Sequence, residues 1–163
     1  LSTTHVVPPA VTLGMGCRKN KEAGAVEKAM FASLEKNQIY PQAVSCLASI
    51  DIKKEEPGFL ALAEKMGIPF ETFSSEELLA VKGEFTASSF VSRTVGVDNV
   101  CERSALKAAQ DRICLNTGRI PERNQTKPGT RRGGEHCRLI QRKQAADGVT
   151  AALVLADWRI HFE

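Results

Sequence analysis

Three short apolar runs, Val11–Leu13, Val44–Ile50 and Ile68–Phe73, alternate with two stretches in which apolar residues recur at a helical period. No other feature constrains the chain as strongly. A strand, a helix and a second strand in succession pack as parallel strands joined by a crossover, and repetition of that unit builds a sheet covered by helices. The first helix is expected over Glu22–Lys36, with Val26, Ala29, Met30, Ser33 and Leu34 on one face, Ser33 its one polar member, and Asn37 as the stop. The second begins at Pro57, a residue suited to the first helical position, and ends at Gly67. Ser74-Ser75-Glu76-Glu77 reads as the capped start of a short helix running to Val81. Helical stretches follow over 88–94 and from Asp98 to Ala109, with Asp98 as the cap. Arg138–Arg142, Gly148–Ala156 and Trp158–Phe162 read as consecutive strands that give the sheet an antiparallel end. The predicted class is therefore a three-layer α/β/α fold with a mixed sheet.

At 163 residues the chain has the size of one domain, given roughly 100–200 residues per domain. Residues 1–10, with Pro8-Pro9 and no period, read as a disordered lead-in or linker, and 11–163 as a single α/β domain. The start at Leu1 rather than Met fits a processed product or a piece of a longer protein. No apolar run approaches the roughly 18 residues of a membrane span. The five cysteines are odd in number and irregularly spaced, which fits neither a disulfide framework nor a zinc site and favours a reduced, cytoplasmic setting. No metal and no cofactor is expected. Charge is uneven: Asp111–Lys143 holds nine Lys/Arg against three Asp/Glu in a chain of net charge +3, so the remainder is net acidic. Within that basic segment, residues 117–135 carry no apolar face and read as a mobile loop. Aromatic residues that would stack on bases are missing there, which argues against nucleic acid as a partner.

Four segments carry chemistry-bearing residues. Gly14-Met15-Gly16-Cys17-Arg18 reads as a glycine loop between strand and helix, able to offer backbone N–H groups and a guanidinium to an anion, or to serve simply as a tight turn. Arg18 and a helix N-terminus would favour the Cys17 thiolate. Asp51, Lys53 and Glu56 follow the second strand, where side chains of open α/β sheets face a ligand crevice; they offer a base, a cation and an acid, or a solvated loop. Glu102 lies one turn into a helix, as a ligand-facing base or as a carboxylate compensating the helix dipole. Lys143 ends a strand before the Asp147-Gly148 turn.

Taken in order, these segments resemble the C-terminal domain of the CbiG/CobE family of cobalamin biosynthesis. The resemblance rests on Gly14–Arg18, on Ser49-Ile50-Asp51 with Lys53 and Glu56-Pro57-Gly58, on Phe73-Ser74 with Glu77-Leu78, and on Ser89-Phe90-Val91. Gly96-Val97 with Val100 and Glu102, and the tail Lys143–Phe162, complete it. It implies the opening of the δ-lactone of cobalt-precorrin-5A with release of acetaldehyde, or, in small members, a non-catalytic module that binds or hands on a corrinoid intermediate. The implied partner is a tetrapyrrole intermediate rich in carboxylates, along with the rest of a CbiG-type protein or other enzymes of the pathway. Glu102, Asp51 and Lys53 are then the expected catalytic residues, and Gly14, Gly16, Cys17, Arg18, Glu56 and Lys143 the expected ligand contacts. The Asp111–Arg138 stretch departs from the family pattern, being longer and more basic than the short connection expected there.

Overall fold

The structure is a computed structural model and describes residues 6–85, 97–117 and 137–157. The expected helix over 88–94, the expected loop over most of 117–135 and the expected strand Trp158–Phe162 lie outside the described residues. Among the described residues five strands, β1 (Val11–Cys17), β2 (Val44–Ile50), β3 (Phe70–Phe73), β4 (Cys137–Ala146) and β5 (Val149–Ala156), form one sheet in the order β3-β2-β1-β5-β4. β1, β2 and β3 are parallel, and β5 runs antiparallel to both β1 and β4. Helices α1 (Ala23–Lys36) and α2 (Pro57–Met66) pack on one face, α3 (Ser75–Leu79) and α4 (Val100–Thr117) on the other. The three-layer mixed α/β arrangement is the one the sequence pattern predicts.

Period two divides the strands between the faces. Val11, Leu13 and Met15 of β1 join Val149, Ala151 and Leu153 of β5 under Val26, Met30, Leu34, Phe59 and Leu62 of α1 and α2. Leu13, Met15 and Phe59 are fully buried, each stabilising the fold by about 1.5–3 kcal/mol through removal of apolar surface from water. Cys46, Ala48 and Ile50 of β2 face α3 and α4, where they meet Leu78, Val100 and Ala108. Ser33, the polar member of the α1 stripe, is buried because Gln141 of β4 donates to its hydroxyl from Nε2 at 3.0 Å. Gln141 Oε1 accepts in turn from Asn37 Nδ2 at 2.6 Å.

The local stops hold where the residues themselves dictate them. Pro57 opens α2 and Gly67 closes it at φ 64°. Ser74 and Glu77 form a reciprocal capping box on α3. Asp147 and Gly148 both take positive φ, 50° and 72°, as a two-residue hairpin turn of the primed kind requires. Two expectations are corrected. The start of α4 is capped by Asn99, whose Oδ1 accepts from the Glu102 backbone N–H at 3.3 Å. Asp98 pairs instead with Arg103 at 2.8 Å. The second correction is at Gly14: β1 does not stop there but continues through both glycines to Cys17.

Those glycines serve approach rather than turning. A Cβ on Gly14 would collide with the Cys101 carbonyl oxygen of α4 and come within 2.8 Å of Ala105 Cβ. One on Gly16 would come within 2.8 Å of Thr150 Oγ1. The crowding at Gly14 is against the helix backbone and a Cβ, with no flexible side chain to yield, so the overpacking cost there reaches the upper part of about 1–3 kcal/mol. Gly14→Ala is therefore expected to lower the unfolding free energy by about 3 kcal/mol in a denaturant titration, and a loss below about 0.5 kcal/mol would show that α4 does not press on β1.

Candidate functional site

The carboxyl ends of β1 and β2, the start of α4 and the β4–β5 hairpin meet at one edge of the sheet. β1 is the central strand, and the chain order reverses beside it, the position at which open α/β sheets form their ligand crevice. Two side-chain groups are assembled there.

The first surrounds Cys17. Glu56, only 6% exposed, accepts the Lys21 backbone N–H on Oε1 at 3.1 Å and the Lys53 ammonium on Oε2 at 3.2 Å. It thereby ties the loop after β1 to the turn after β2, so that both of its oxygens have structural partners. Lys53 is itself mostly enclosed, and two further ammonium protons remain to it for other acceptors. Lys21 reaches across to Asp147 of the hairpin at 3.0 Å. The Arg18 backbone N–H donates to the Gly148 carbonyl at 3.2 Å while its exposed side chain runs past Gly148. Asp51 stands half-buried at the end of β2, opening a one-turn 3-10 helix.

The second group lies between α4 and the hairpin. Glu102 is fully buried, and its Oε1 accepts the Lys143 backbone N–H at 2.6 Å. The Cys101 thiol donates to Asn99 Oδ1 at 3.4 Å. Thr150 donates to the Gly16 carbonyl at 3.2 Å and so joins this group to the end of β1.

Of the residues expected from sequence, Cys17, Lys53 and Glu56 come together, as do Glu102 and Lys143, with Gly16 between the two groups. Gly14 lies beneath α4, and Asp51 and Arg18 stand at the rim. Lys21 and Thr150 are additional. Thr150, a lone hydroxyl in the apolar run Val149–Ala156, had a visible sequence signal; Lys21, one more cation after Arg18 and Lys19, did not stand out. The expectation of an activated Cys17 is corrected. Burial pushes its thiol up to about 11, against a smaller lowering by Lys53, with Glu56 raising it further. Burial likewise pushes Cys101 up to about 12. Cys17, Cys46, Cys101 and Cys137 are thiols rather than disulfides. Among the described residues no three His, Cys, Asp or Glu side chains group as ligands for a metal ion, and no helix is long and apolar enough to cross a membrane.

Residues 11–154 match the family described as Cobalamin synthesis G C-terminus, and the chain belongs to that family. Among individual relatives, it is 33% identical over 112 residues to the Cobalt-precorrin-5A hydrolase of Salmonella typhimurium, a match spanning 69% of this chain and 32% of that protein. It is 28% identical over 148 residues to the Probable cobalt-precorrin-5A hydrolase of Methanocaldococcus jannaschii, spanning 90% of this chain and 41% of the relative. The chain thus corresponds to a minor part of those proteins. Several crystal structures share its fold, two of them along nearly their whole length. CobE, a protein from the cobalamin (vitamin B12) biosynthetic pathway, superposes with a TM-score of 0.71 at 23% identity, covering 90% of this chain and 89% of CobE. The cobalamin biosynthesis protein chiG from Agrobacterium tumefaciens superposes at 0.58 and 21% identity, covering 90% and 98%.

The raised thiol has a measurable consequence. An unfolded cysteine titrates near 9.0 and folded Cys17 near 11, so the folded state keeps its proton longer. The stability this carries is fully present below pH 9 and is lost as pH rises through the folded value. Cys17 is expected to react with iodoacetamide at about pH 8 more slowly than an unstructured thiol, because the thiolate is the nucleophile. Reaction faster than the unstructured thiol would contradict the burial account.

Proposed function

We propose that this domain binds the carboxylate arms of cobalt-precorrin-5A at the strand-end crevice and takes part in opening its lactone. The observation that supports this most directly is the gathering of Arg18, Lys21, Lys53 and Lys143 around the carboxyl end of β1 in a chain whose named relatives are cobalt-precorrin-5A hydrolases. Arg18 at the rim offers a fork-shaped donor suited to a carboxylate, and the lysines add point charges. Cys17, Gly16 and Glu56 shape the floor of the crevice: Gly16 by lacking a side chain, Glu56 by holding Lys53 and the loop after β1.

Of the two carboxylates expected to act as base, Asp51 is the one within reach of solvent, whereas Glu102 is enclosed. In the proposed reaction Asp51 takes a proton from water, whose oxygen bonds to the lactone carbonyl carbon. Lys53 or Lys143 stabilises the oxyanion, and collapse expels the ring oxygen as an alcohol. Deprotonation of that alcohol then breaks the adjacent carbon–carbon bond. A carbonyl forms on the departing two-carbon unit, which leaves as acetaldehyde, and the electron pair stays with the macrocycle. Arms of the substrate and steps beyond these residues fall to the remainder of a hydrolase of the full length seen in the relatives.

Each of Lys53→Ala and Lys143→Ala is expected to weaken binding of cobalt-precorrin-5A about tenfold or more, the worth of about 1.5–3 kcal/mol for a hydrogen bond to a charged group. Asp51→Asn is expected to leave binding within about threefold and to lower acetaldehyde release about a hundredfold or more, as removal of a general base does. Unchanged affinity in both lysine variants would reject this face, and undiminished release by Asp51→Asn would reject Asp51 as base.

A further inference from the structure

The pairing of β4 with β5 is interrupted. Gln141 lies opposite Leu153, but Gln144 lies opposite Ala151, so three steps along β4 match two along β5 and one extra residue sits at Arg142–Lys143. A bulge of this kind leaves a residue out of the ladder and re-aims its side chain. A displaced peptide N–H needs an acceptor, since an orphaned buried donor costs about 1–3 kcal/mol. Here the Lys143 N–H donates at 2.6 Å to Oε1 of Glu102, a carboxylate from the first turn of the helix on the far side of the sheet edge, with no exposure to solvent.

Glu102 is fixed at its own end as well. Its backbone N–H is capped by Asn99, and the carbonyl of its neighbour Cys101 lies against Gly14. The carboxylate therefore reaches the bulge from a rigid base. We propose that Glu102 is a positioning residue: by accepting the Lys143 N–H it sets the β4 bulge and so aims the Lys143 ammonium at the carboxylate of the bound tetrapyrrole. This role rests on the tetrapyrrole reading of the crevice but makes a different demand of Glu102, which holds a neighbour in place and moves no proton.

The roles separate through substitutions that keep or lose the acceptor. A glutamine retains a carbonyl oxygen at the same reach and drops the negative charge, whereas alanine loses both. Amide exchange is measured without ligand, and binding of a uroporphyrin octacarboxylate is followed by fluorescence titration in Glu102→Ala, Glu102→Gln, Lys143→Ala and the double variant Glu102→Ala/Lys143→Ala. The Lys143 amide is expected to exchange at least about tenfold faster in Glu102→Ala than in the wild type and to stay protected in Glu102→Gln. Binding in Glu102→Ala is expected to fall about as far as in Lys143→Ala. The double variant is expected to bind no worse than Lys143→Ala, as two residues acting through one contact require, and Glu102→Gln to recover most of the loss. If Glu102→Ala does not fold, Glu102→Asp, whose shorter side chain withdraws from the N–H, takes its place. Binding in Glu102→Gln as weak as in Glu102→Ala, with the Lys143 amide still protected, would overturn the inference, as would additive losses in the double variant. A wild-type chain that does not bind the probe would overturn the tetrapyrrole reading and this role with it. Binding by the wild type with no loss in Glu102→Ala would overturn the role alone.

Discussion

The close approach of α4 to β1 at Gly14 is the contact on which the remainder of the architecture depends. With no side chain there, the Cys101 carbonyl and Ala105 lie directly against the strand backbone. The residues that continue this interface are small as well: Ala105 and Ala109 on the helix meet Val154 of β5, and Ala108 faces β2. Ser104 reinforces it by donating to the Ala48 carbonyl at 3.3 Å. Were the helix a few ångströms further out, Asn99, Cys101 and Glu102 would no longer stand level with the end of β1, and Glu102 would not reach β4. Gly14 thus sets the level of these side chains indirectly, through the depth at which the helix seats.

Given that seating, a small number of buried polar side chains join elements that the apolar core leaves unregistered. Glu56 links the segments after β1 and β2, Gln141 links β4 to α1, and Glu102 links α4 to the β4 bulge. Arg103 does the same for α3. Its guanidinium donates to the Leu78 and Val81 carbonyls at 3.3 and 3.2 Å, pairs with Asp98, and lies 4.2 Å from the centre of the Phe85 ring. Apolar contacts tolerate sliding, but a buried carboxylate or amide without its partner carries the whole desolvation cost, so each such joint selects one arrangement. The carboxylates at the strand ends are accordingly already engaged: Glu56 holds the Lys53 ammonium, and Glu102 holds the Lys143 backbone N–H.

The elements legible in the sequence were those specified by neighbours in sequence. Pro57 and Gly67 bound α2, Ser74 and Glu77 cap α3, and Asp147-Gly148 turns the hairpin, each through a local backbone preference. Alternating apolar runs were sufficient for the layered sheet. What the sequence pattern did not show depends on partners far along the chain. A Gly-x-Gly segment looks the same whether it turns or admits a helix, and only the position of Cys101 and Ala105 distinguishes the two. Cys17 beside Arg18 suggested an activated thiol, yet the enclosure that raises its pKa is built by the fold. Most of the side chains gathered at the strand ends were singled out by sequence, Lys21 and Thr150 excepted, but their contacts were not, because whether a carboxylate meets a backbone N–H is decided by a bulge and a helix seat.

The central claim is that this domain reads carboxylates at the carboxyl edge of its parallel strands. It is tested most directly by backbone amide NMR during titration with a uroporphyrin octacarboxylate. The account predicts shifts concentrated in three segments that are distant in sequence and adjacent in the fold: Cys17–Lys21, Asp51–Glu56 and Lys143–Thr150. The opposite edge, around Thr12, Ser45 and Arg112, should stay unperturbed. Shifts centred on that opposite edge, or spread evenly over the surface, would contradict it.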